Sequence, residues 1–395
     1  MSWPLVTLGS LEGGKGNFVD GPFGSNLKSS EYTETGVPLI QLKNIKPNKY
    51  ITKDLKFVSQ EKADSISRHS YKAGDVCIAK LGAVGTACII PEDAPDGIIV
   101  ADVVRFRGDK ALIDYKYFCH YLNSPVGQRN ILKLSRGSTR TRTNLTDLKS
   151  VEIPLPPLAE QKRIAAILDK ADSIRRKRKQ AIQLADNFLR SVFLDMFGDP
   201  VTNPKGWEVK KFGEVGTLDR GKSKHRPRND PKLLGGEYPL IQTGDVANSG
   251  GYITSYSSTY SELGLAQSRK WEEGTLCITI AANIAKTGIL TFEACFPDSV
   301  VGFKPNEPVT TEFVQTWLGF LQKIIEANAP ESAQKNINLA ILRDLDIPLP
   351  PLEQQIHFTQ VVEKTNQLKK KFECSVTLKE NGFNSLSQKA FAGEL

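Results

Sequence analysis

One stretch of the sequence has the residue types that bind nucleotide phosphates. Gly216-Thr-Leu-Asp-Arg-Gly-Lys-Ser223 matches the Walker A pattern letter for letter. In that motif a buried strand precedes the glycines and a helix follows them, so that backbone N–H groups and the helix N-terminus hold phosphate. Pro227 and Pro231 stand where the helix should run, and proline opposes a helix there. A nucleotide site is therefore disfavoured, and the Lys222 charge is better suited to a phosphate backbone.

A second stretch fits a nuclease pattern in which carboxylates hold a metal ion. Pro95-Asp96 followed by Asp114-Tyr-Lys116 has the form PD…(D/E)xK, a pattern so degenerate that chance matches are common. The sequence contains no GxGxxG, no methyltransferase Asn/Asp-Pro-Pro-aromatic tetrad, and no GxSxG or HExxH. Six cysteines without a CxxC pair and only four histidines argue against a zinc site or a disulfide framework. We therefore predict no catalytic residue, no metal and no cofactor in this chain.

The composition is that of an ordinary globular protein. The 395 residues are 39% hydrophobic and 24% charged, which suits two or three domains with buried cores and excludes collagen-like or disordered chains. The first residues lack the charged and apolar regions of a signal peptide, and no apolar run is long enough to span a membrane. We expect a soluble protein of a reducing cytosol.

Cationic side chains gather in two short stretches. The net charge is only +8, which permits a nucleic-acid partner without requiring one. Solvated loops can carry such clusters too, so the clusters alone do not decide the function. The first stretch contains Arg129, Lys133, Arg136, Arg140 and Arg142, and the second contains Arg220, Lys222, Lys224, Arg226 and Arg228.

The sequence contains a long internal repeat. The segment from Asn144 to Gln161, which includes Ile-Pro-Leu-Pro-Pro-Leu, recurs 194 residues later between Asn338 and Gln355. Weaker matches keep the same order upstream, for example Pro38-Leu-Ile-Gln and Pro239-Leu-Ile-Gln. An ordered repeat of this kind predicts two halves, each with a domain of about 150 residues followed by a segment of about 45 residues.

The shared segments are predicted to be long helices. The run from Ala159 to Phe197 contains no proline or glycine, follows two prolines and ends at Gly198. Apolar residues recur at steps of three and four, as in the seam of a coiled coil. The first seam is Ile164, Ile167, Ala171, Ile174, Ala181, Ala185, Phe188 and Val192; the second is Ile356, Val361, Leu368, Phe372, Val376, Phe383 and Leu386, with an expected interruption at Asn381-Gly382.

Two such seams favour an antiparallel coiled coil with a pseudo-two-fold axis, although each helix could instead pack only on its own domain. Short apolar runs bounded by Gly, Pro and Asp predict strands in the globular parts, with helices at Tyr115 to Asn123 and Thr311 to Ala327. The predicted fold class is α+β, with two mixed α/β domains and two long helices. The boundaries are 1–156 and 201–350 for the domains, and 157–200 and 351–395 for the helical spacers.

The duplicated proline motif, preceded by Asn-Leu and followed by a long helix, resembles the specificity subunit of type I restriction-modification systems. Gly21-Pro-Phe-Gly-Ser-Asn-Leu-Lys28 is similar to a loop of that family's first domain. Gln334-Lys-Asn-Ile-Asn-Leu339 is similar to the stretch that leads into its proline motif. The resemblance covers the whole chain. One departure is that the Gly-Pro-Phe-Gly-Ser loop has no close counterpart in the second half, where the basic loop Lys222 to Arg228 stands instead.

The resemblance implies a non-catalytic subunit that binds double-stranded DNA. Two target-recognition domains would each read one half of a gapped site, while the helices set the spacing and bind two methyltransferase subunits. Those subunits would carry S-adenosylmethionine and methylate adenine N6, and added restriction subunits would cleave DNA with ATP and Mg²⁺. Such a complex would work in the cytoplasm of a bacterium or archaeon, with no membrane partner.

The residues expected to contact DNA are basic or amide side chains in the divergent domains, since these types bind phosphates and base edges. A solvated surface charge is the alternative for each of them. The candidates are Lys28, Lys80, Arg136, Arg140 and Arg142 in the first domain, and Lys222, Lys224, Arg226, Arg228, Lys286, Lys335 and Asn336 in the second.

Two other classes of protein remain open from the sequence. A protein-interaction scaffold with two binding domains on a helical spacer would explain the repeat, but not why both basic clusters lie in the divergent domains. A nuclease or methyltransferase acting alone would need the two weak motifs described first. Heparin retention and salt-sensitive binding of duplex DNA would separate a DNA reader from a scaffold.

The replacement Arg140→Ala tests the first basic cluster. If the Arg140 guanidinium touches a phosphate, its loss weakens the DNA complex and lowers the slope of log K against log salt by about one. Binding titrations at several salt concentrations measure this slope. An unchanged salt dependence would reject a phosphate contact.

Overall fold

The computed structural model describes residues 3–135, 141–281, 284–306, 308–327 and 337–395, without the side chains of residues 323, 327, 373–382 and 384. The chain divides into two compact units. The first comprises residues 1–179 and 374–395, and the second comprises residues 180–373. Each unit contains one globular domain and a part of each of two long helices. None of the helices in the described residues combines the length and apolar character that a membrane crossing needs.

The first unit is built from short strands, short helices and the first long helix. Its strands are β1 Leu5–Thr7, β2 Phe18–Asp20, β3 Val37–Ile40, β4 Ile45–Lys46, β5 Lys49–Tyr50, β6 Lys56–Val58, β7 Ser70–Tyr71, β8 Val76–Ala79, β9 Ala87–Ile89, β10 Gly97–Ile99, β11 Val103–Phe106 and β12 Glu152–Pro154. Its helices are α1 Gln60–Ser65, α2 Tyr115–Asn123, α3 Pro125–Lys133, α4 Leu145–Ser150 and the start of α5 Leu158–Phe197.

Two sheets form the centre of the first domain. One is antiparallel in the order β2-β11-β8-β9, and the other has the order β6-β3-β10-β7, with β3 parallel to β10. All residues of β8 and β11 are buried, which is why these strands read as continuous runs rather than as an alternation. Helix α2 covers the first sheet, where the rings of Phe106 and Phe118 stack with centroids 4.4 Å apart.

The second unit repeats this arrangement. Its strands are β13 Glu208–Lys211, β14 Gly216–Arg220, β15 Leu234–Leu240, β16 Tyr252–Ile253, β17 Ser258–Tyr260, β18 Lys270–Trp271, β19 Leu276–Thr279, β20 Thr287–Leu290, β21 Ala294–Cys295, β22 Val300–Pro305 and β23 Asp346–Leu349. Its helices are α6 Thr243–Ala247, α7 Glu262–Ala266, α8 Thr311–Ala327, α9 Leu339–Arg343 and the start of α10 Leu352–Ala392.

The sheets of the second domain follow the same order as those of the first. One sheet is β14-β22-β19-β20-β16, and the other is β17-β15-β21-β18, with β15 parallel to β21. In each domain a two-stranded sheet joins the start of the domain to the proline motif, as β1 with β12 and as β13 with β23. The fold class is therefore the predicted one, a mixed α/β domain present twice, each followed by a long helix.

The Asn-Leu step of each repeat begins a short helix ahead of the proline motif. The side-chain oxygen of Asn144 accepts a hydrogen bond from the backbone N–H of Asp147 at 2.7 Å. The side-chain oxygen of Asn338 accepts one from the backbone N–H of Ile341 at 2.9 Å. Asparagine is a preferred N-cap residue because its side chain pairs with a backbone N–H that the helix leaves free.

The final glutamine of the proline motif anchors each long helix to its own domain. Gln161 is fully buried at the start of α5. Its side-chain oxygen accepts a hydrogen bond from the backbone N–H of Asp114 at 2.9 Å. Its side-chain nitrogen donates to the backbone oxygens of Leu112 at 2.9 Å and Pro156 at 2.8 Å. One side chain thus joins the residues before α2 to the proline turn before α5.

Gln355 makes the same connection in the second domain and is also fully buried. Its oxygen accepts from the backbone N–H of Thr310 at 3.0 Å, just before α8. Its nitrogen donates to the backbone oxygens of Pro308 at 3.1 Å and Pro350 at 2.8 Å. The repeated motif therefore encodes a repeated backbone junction.

The two long helices run antiparallel within the first unit. Arg163 of α5 donates to the backbone oxygen of Leu395, just after the end of α10, at 3.0 Å. Further along α5, the Arg175 guanidinium lies 5.4 Å from the ring centre of Phe383, which comes earlier on α10. Near the end of α10, the Phe391 ring packs edge-on against Tyr117 of α2. The end of α10 therefore completes the core of the first domain.

The helices are also antiparallel within the second unit. Lys369 of α10 pairs with Asp186 of α5 through a contact of 2.6 Å between Nζ and Oδ1. Further along α5, the Phe193 ring meets Phe358, which comes earlier on α10, with centroids 5.5 Å apart. Phe193 also stacks on Phe313 of α8, so the end of α5 closes the second core as α10 closes the first.

The predicted apolar seams are only partly right. Ile164 is buried as expected, but Phe188 is 52% exposed and Leu368 is 54% exposed. On α5 every predicted seam residue except Phe188 is buried or half-buried, whereas on α10 Ile356, Leu368 and Phe372 are exposed. Polar side chains occupy buried positions of α10, so the spacing of apolar residues alone selects the wrong face of that helix. The buried side chains of α10 in the second unit include Phe358, Val362, Thr365 and Lys369.

The predicted interruption at Asn381-Gly382 is wrong, because α10 continues through both residues to Ala392. A glycine inside a helix costs only about 1 kcal/mol relative to alanine. Both ends of α10 pack on aromatic cores, so this local cost does not end the helix.

The replacement Gln161→Leu tests the junction. It leaves three buried backbone groups without their side-chain partner, and each such group costs about 1–3 kcal/mol. The free energy of unfolding should therefore fall by about 3 kcal/mol, measured by urea denaturation. The control is Lys162→Leu at the exposed neighbouring position, which should change the free energy of unfolding by less than about 0.5 kcal/mol. Equal effects of the two variants would contradict this role of Gln161.

Candidate nucleic-acid interface

Each domain carries a loop directly after the first strand of one sheet, β2-β11-β8-β9 in the first domain and β14-β22-β19-β20-β16 in the second. We define loop A as residues 21–28, after β2, and loop B as residues 221–228, after β14. The backbone N–H of Gly21 donates to the Val103 oxygen at 2.9 Å, and that of Gly221 donates to the Val300 oxygen at 2.9 Å. Val103 and Val300 are the first residues of β11 and β22, so the two loops are structurally equivalent.

The first residue of each loop must be glycine. A Cβ atom on Gly21 would lie 2.1 Å from the backbone oxygen of Val100, and one on Gly221 would lie 2.1 Å from that of Phe296. The basic loop Lys222 to Arg228 therefore stands where the first domain has its Gly-Pro-Phe-Gly-Ser loop, as the sequence analysis expected, although the two loops have no close sequence match. The glycine that begins each loop is shared, whereas the residues directly after it differ.

A hairpin turn lies beside each loop, between β8 and β9 in the first domain and between β19 and β20 in the second. We call these turn A and turn B. The Gly85 N–H donates to the Ala79 oxygen at 2.8 Å, and the Ala285 N–H donates to the Thr279 oxygen at 2.8 Å. Gly85 has φ 81° and Ala285 has φ 56°, so both turns use the left-handed region at the same point.

The segment before α4 or α9 returns to the same turn. The Thr143 N–H donates to the Lys80 oxygen at 3.0 Å, and the Ile337 N–H donates to the Ile280 oxygen at 3.0 Å. Three separate parts of the sequence therefore meet at one end of the sheet in each domain. These parts are the loop, the turn and the segment before the short helix. The predicted residues that the structure describes lie in them, namely Lys28, Lys80, Arg142, Lys222, Lys224, Arg226, Arg228 and Lys286.

In the first domain the three candidates that the structure describes differ in exposure: two are exposed and one is buried. Lys28 is exposed on loop A. The Arg142 side chain is 58% exposed and pairs with Asp102, with Nη2 2.5 Å from Oδ1. Lys80 does not fit its predicted role, because its ammonium is buried and lies 2.8 Å from Asp20 Oδ2. The same ammonium lies 4.8 Å from the ring centre of Phe23, so Lys80 supports loop A from within.

In the second domain the basic residues of loop B are exposed. The Lys224 backbone N–H donates to the Gln267 side-chain oxygen at 2.6 Å, which holds the loop while leaving the lysine side chain in solvent. Lys286 of turn B is exposed, with its Nζ 3.3 Å from the Gln322 side-chain oxygen. Lys222, Arg226 and Arg228 are exposed as well.

Four candidates lie outside the described residues. They are Arg136, Arg140, Lys335 and Asn336. The described residues that follow them, Thr143 and Ile337, are hydrogen-bonded to the turns.

A cavity that the sequence analysis missed borders loop A. It has a volume of about 530 Å³, and its lining includes the cations Lys15, Arg68 and Lys149 together with the acids Glu12 and Asp20. His69 also lines this cavity and donates through Nδ1 to the Asp20 backbone oxygen at 2.7 Å, which ties the cavity to the base of the loop. Lys15 and Arg68 lie far apart in the sequence and outside both basic clusters, so no cluster marked them.

The two motifs with enzyme-like patterns have other roles. The first part of the Walker A match is strand β14 itself, and the rest is the start of loop B rather than a helix. Asp114 caps α2 by accepting from the Lys116 and Tyr117 backbone N–H groups. Among the described residues, no three side chains of His, Cys, Asp or Glu are placed to share a metal ion.

Comparison with protein families gives one assignment for both halves. The sequence model of the type I restriction modification DNA specificity domain matches residues 24–184 and again residues 204–374. Each match spans one globular domain and the start of the helix that follows, which is the repeat found in the sequence.

Individual relatives cover most of the chain. A protein of Methanocaldococcus jannaschii named as the MjaX type I restriction enzyme specificity subunit is 25% identical over 341 residues, which is 81% of this chain and 78% of the relative. The EcoKI specificity subunit of Escherichia coli K12 is 22% identical over 390 residues, 91% of this chain and 82% of that one. The crystal structure of a type I restriction-modification S subunit from M. genitalium superposes with a TM-score of 0.63 at 16% identity, covering 99% and 96% of the two chains.

The replacement Gly221→Ala tests the backbone geometry of loop B. Because the added methyl group would overlap the Phe296 backbone oxygen, we expect the free energy of unfolding to fall by about 2 kcal/mol. The matched control is Gly244→Ala, where a Cβ meets nothing within 4 Å. Chemical denaturation should show a change below about 0.5 kcal/mol for that control. A neutral Gly221→Ala would mean that the loop is not held as described.

Proposed function

Because this chain belongs to the type I restriction modification DNA specificity family, we propose that it selects the DNA site on which its partner subunits act. As a specificity subunit with two target recognition domains, it is not itself the catalyst. The observation that carries the proposal is the duplicated end of the sheet, where loop, turn and returning segment meet in both domains with the same backbone hydrogen bonds.

We propose that each domain reads one half of a gapped DNA site. The two surfaces share their backbone but not their side chains, since loop A begins Gly21-Pro-Phe-Gly and loop B begins Gly221-Lys-Ser-Lys. A shared backbone with different side chains allows each domain to recognise a different set of base edges. The two half-sites would therefore differ in sequence.

The DNA contacts would come from the exposed cations of these surfaces, with phosphate contacts setting position and base contacts setting sequence preference. Arg68 and Lys15 extend the set in the first domain, because they line the cavity beside loop A. The proposal also includes four residues that the sequence analysis predicted to contact DNA: Arg136, Arg140, Lys335 and Asn336. The other members are Lys28, Arg142, Lys222, Lys224, Arg226, Arg228 and Lys286.

The long helices would set the gap between the half-sites and dock two methyltransferase subunits. Exposed apolar side chains on both helices support this, because Leu184 and Phe188 lie one turn apart on α5, as do Leu368 and Phe372 on α10. Apolar surface in such pairs is typical of protein contacts. The bound subunits would supply S-adenosylmethionine and methylate adenine N6, and restriction subunits would add cleavage driven by ATP with Mg²⁺, in the cytoplasm of the host.

A methylome of the native host, with and without this gene, tests the proposal. We expect loss of N6-methyladenine at one two-part, gapped motif, and its return when the wild-type gene is restored. A gene with Lys222→Ala and Lys224→Ala should weaken methylation at that motif, since these side chains are exposed on loop B and their loss should not unfold the domain. An unchanged methylome together with failure to copurify a methyltransferase would favour a protein scaffold instead.

A further inference from the structure

An acidic residue lies among the arginines of loop B. Asp298 stands in the short segment before β22, and its carboxylate pairs with both Arg226 and Arg228. Arg226 Nη2 is 3.6 Å from Asp298 Oδ2, while its Nη1 donates to the Ser223 backbone oxygen at 2.6 Å. Both arginine side chains remain about half exposed, and Arg226 Nη1 also donates to the His225 backbone oxygen at 2.8 Å. Arg228, which meets Asp298 through Nη2, is therefore the better placed of the two to present N–H donors to a base.

The first domain has the same pairing, made from a different part of the chain. Asp102 stands in the segment before β11 and holds Arg142, which comes from the segment that returns to turn A. The acid immediately precedes Val103 in one domain and lies two residues before Val300 in the other. The arginines do not correspond in the repeat. Two unrelated arginines therefore meet a carboxylate at the same end of the sheet.

Such carboxylates need an explanation, because they oppose DNA binding in general. A negative charge at this surface repels phosphates and cancels a neighbouring cation. The ion pairs are exposed, and pairs of this kind contribute little to folding stability. Neither phosphate binding nor folding accounts for finding the arrangement in both domains.

Base recognition does account for it. A guanidinium is a planar fork that reads guanine O6 and N7 through two parallel N–H donors. A carboxylate that binds one edge of the fork fixes its plane and leaves other donors free, which lowers the ordering cost on binding. An arginine that serves only as a phosphate cation gains nothing from this support.

We propose that Asp102 and Asp298 are positioning residues for guanine recognition, each holding an arginine of its own domain in the orientation that reads one G·C pair. The proposal rests on the proposed function, since it assigns the residues that set sequence preference within it. It requires a G·C pair in each half-site. It also predicts that losing the acid has the opposite effect on general DNA affinity from losing the arginine.

The first experiment is a methylome of hosts that carry Asp298→Asn or Asp102→Asn in the full-length gene. Asparagine keeps the shape of the side chain and removes its charge. Asp298→Asn should relax the motif at a G·C position of the second half-site alone, with the preference at that position falling about tenfold. Asp102→Asn should do the same in the first half-site alone.

The second experiment measures binding of the purified complex to two duplexes, one with the mapped motif and one with both half-sites scrambled. Asp298→Asn should bind the scrambled duplex more tightly, with a salt slope steeper by about one because an arginine charge is released. Its preference for the motif should fall about tenfold. Arg228→Ala should instead weaken binding to the motif duplex.

Asp346→Asn is the matched control, because it makes the same change in charge at an exposed ion pair with Lys211 on the small β13–β23 sheet. It should leave preference and salt slope unchanged. If Asp298→Asn tightens both duplexes equally and leaves the methylated motif intact, the acid only repels phosphate and the proposal is wrong. If the wild-type complex shows no motif and no duplex preference, the proposed function itself has failed.

Discussion

The architecture depends on the buried glutamine at the start of each long helix. Residues before α2 and α8, and the proline turns before α5 and α10, leave backbone groups inside the protein that neither sheet nor helix can pair. Gln161 and Gln355 satisfy three such groups each. Since a buried unpaired group is costly, the direction in which each helix leaves its domain is fixed by this requirement. The helix pairing and the closure of both aromatic cores follow from that direction.

The two proposed recognition surfaces share their backbone geometry but not their side chains. Glycine at positions 21 and 221, the left-handed residue in each turn and the hydrogen bonds of the returning segments are the same in both domains. The exposed side chains that this backbone carries differ between the two domains. The support beneath the loop also differs, because the buried Lys80 pairs with the part-buried Asp20 in the first domain, while the equivalent positions of the second domain hold the buried Ile280 and the exposed Arg220. Sequence preference can therefore change without rebuilding the fold.

Sequence alone predicted the elements whose signal is local and repeated. Helices α2 and α8 have the predicted bounds, and α5 begins one residue before the predicted start. The errors share one physical cause, because they concern side chains whose partners are distant in sequence. Lys369 is buried only because Asp186 lies opposite it, and Lys80 is buried only because Asp20 and Phe23 enclose it. The sequence placed loop B where the first half has loop A, but the reason for a glycine at the start of each loop, its close approach to a backbone oxygen, is seen only in the structure.

Each long helix belongs partly to one unit and partly to the other, and this division affects the order in which the two units can be completed during synthesis. The second unit is one uninterrupted stretch, residues 180–373, whereas the first is completed by residues 374–395. Phe391, which packs on Tyr117 and Tyr121, is synthesised after the whole of the second unit. Until that stretch of chain has been made, Tyr117 and Tyr121 lack the ring that covers them in the folded protein. The core of the first unit can therefore be completed only after residues 180–373 have been synthesised.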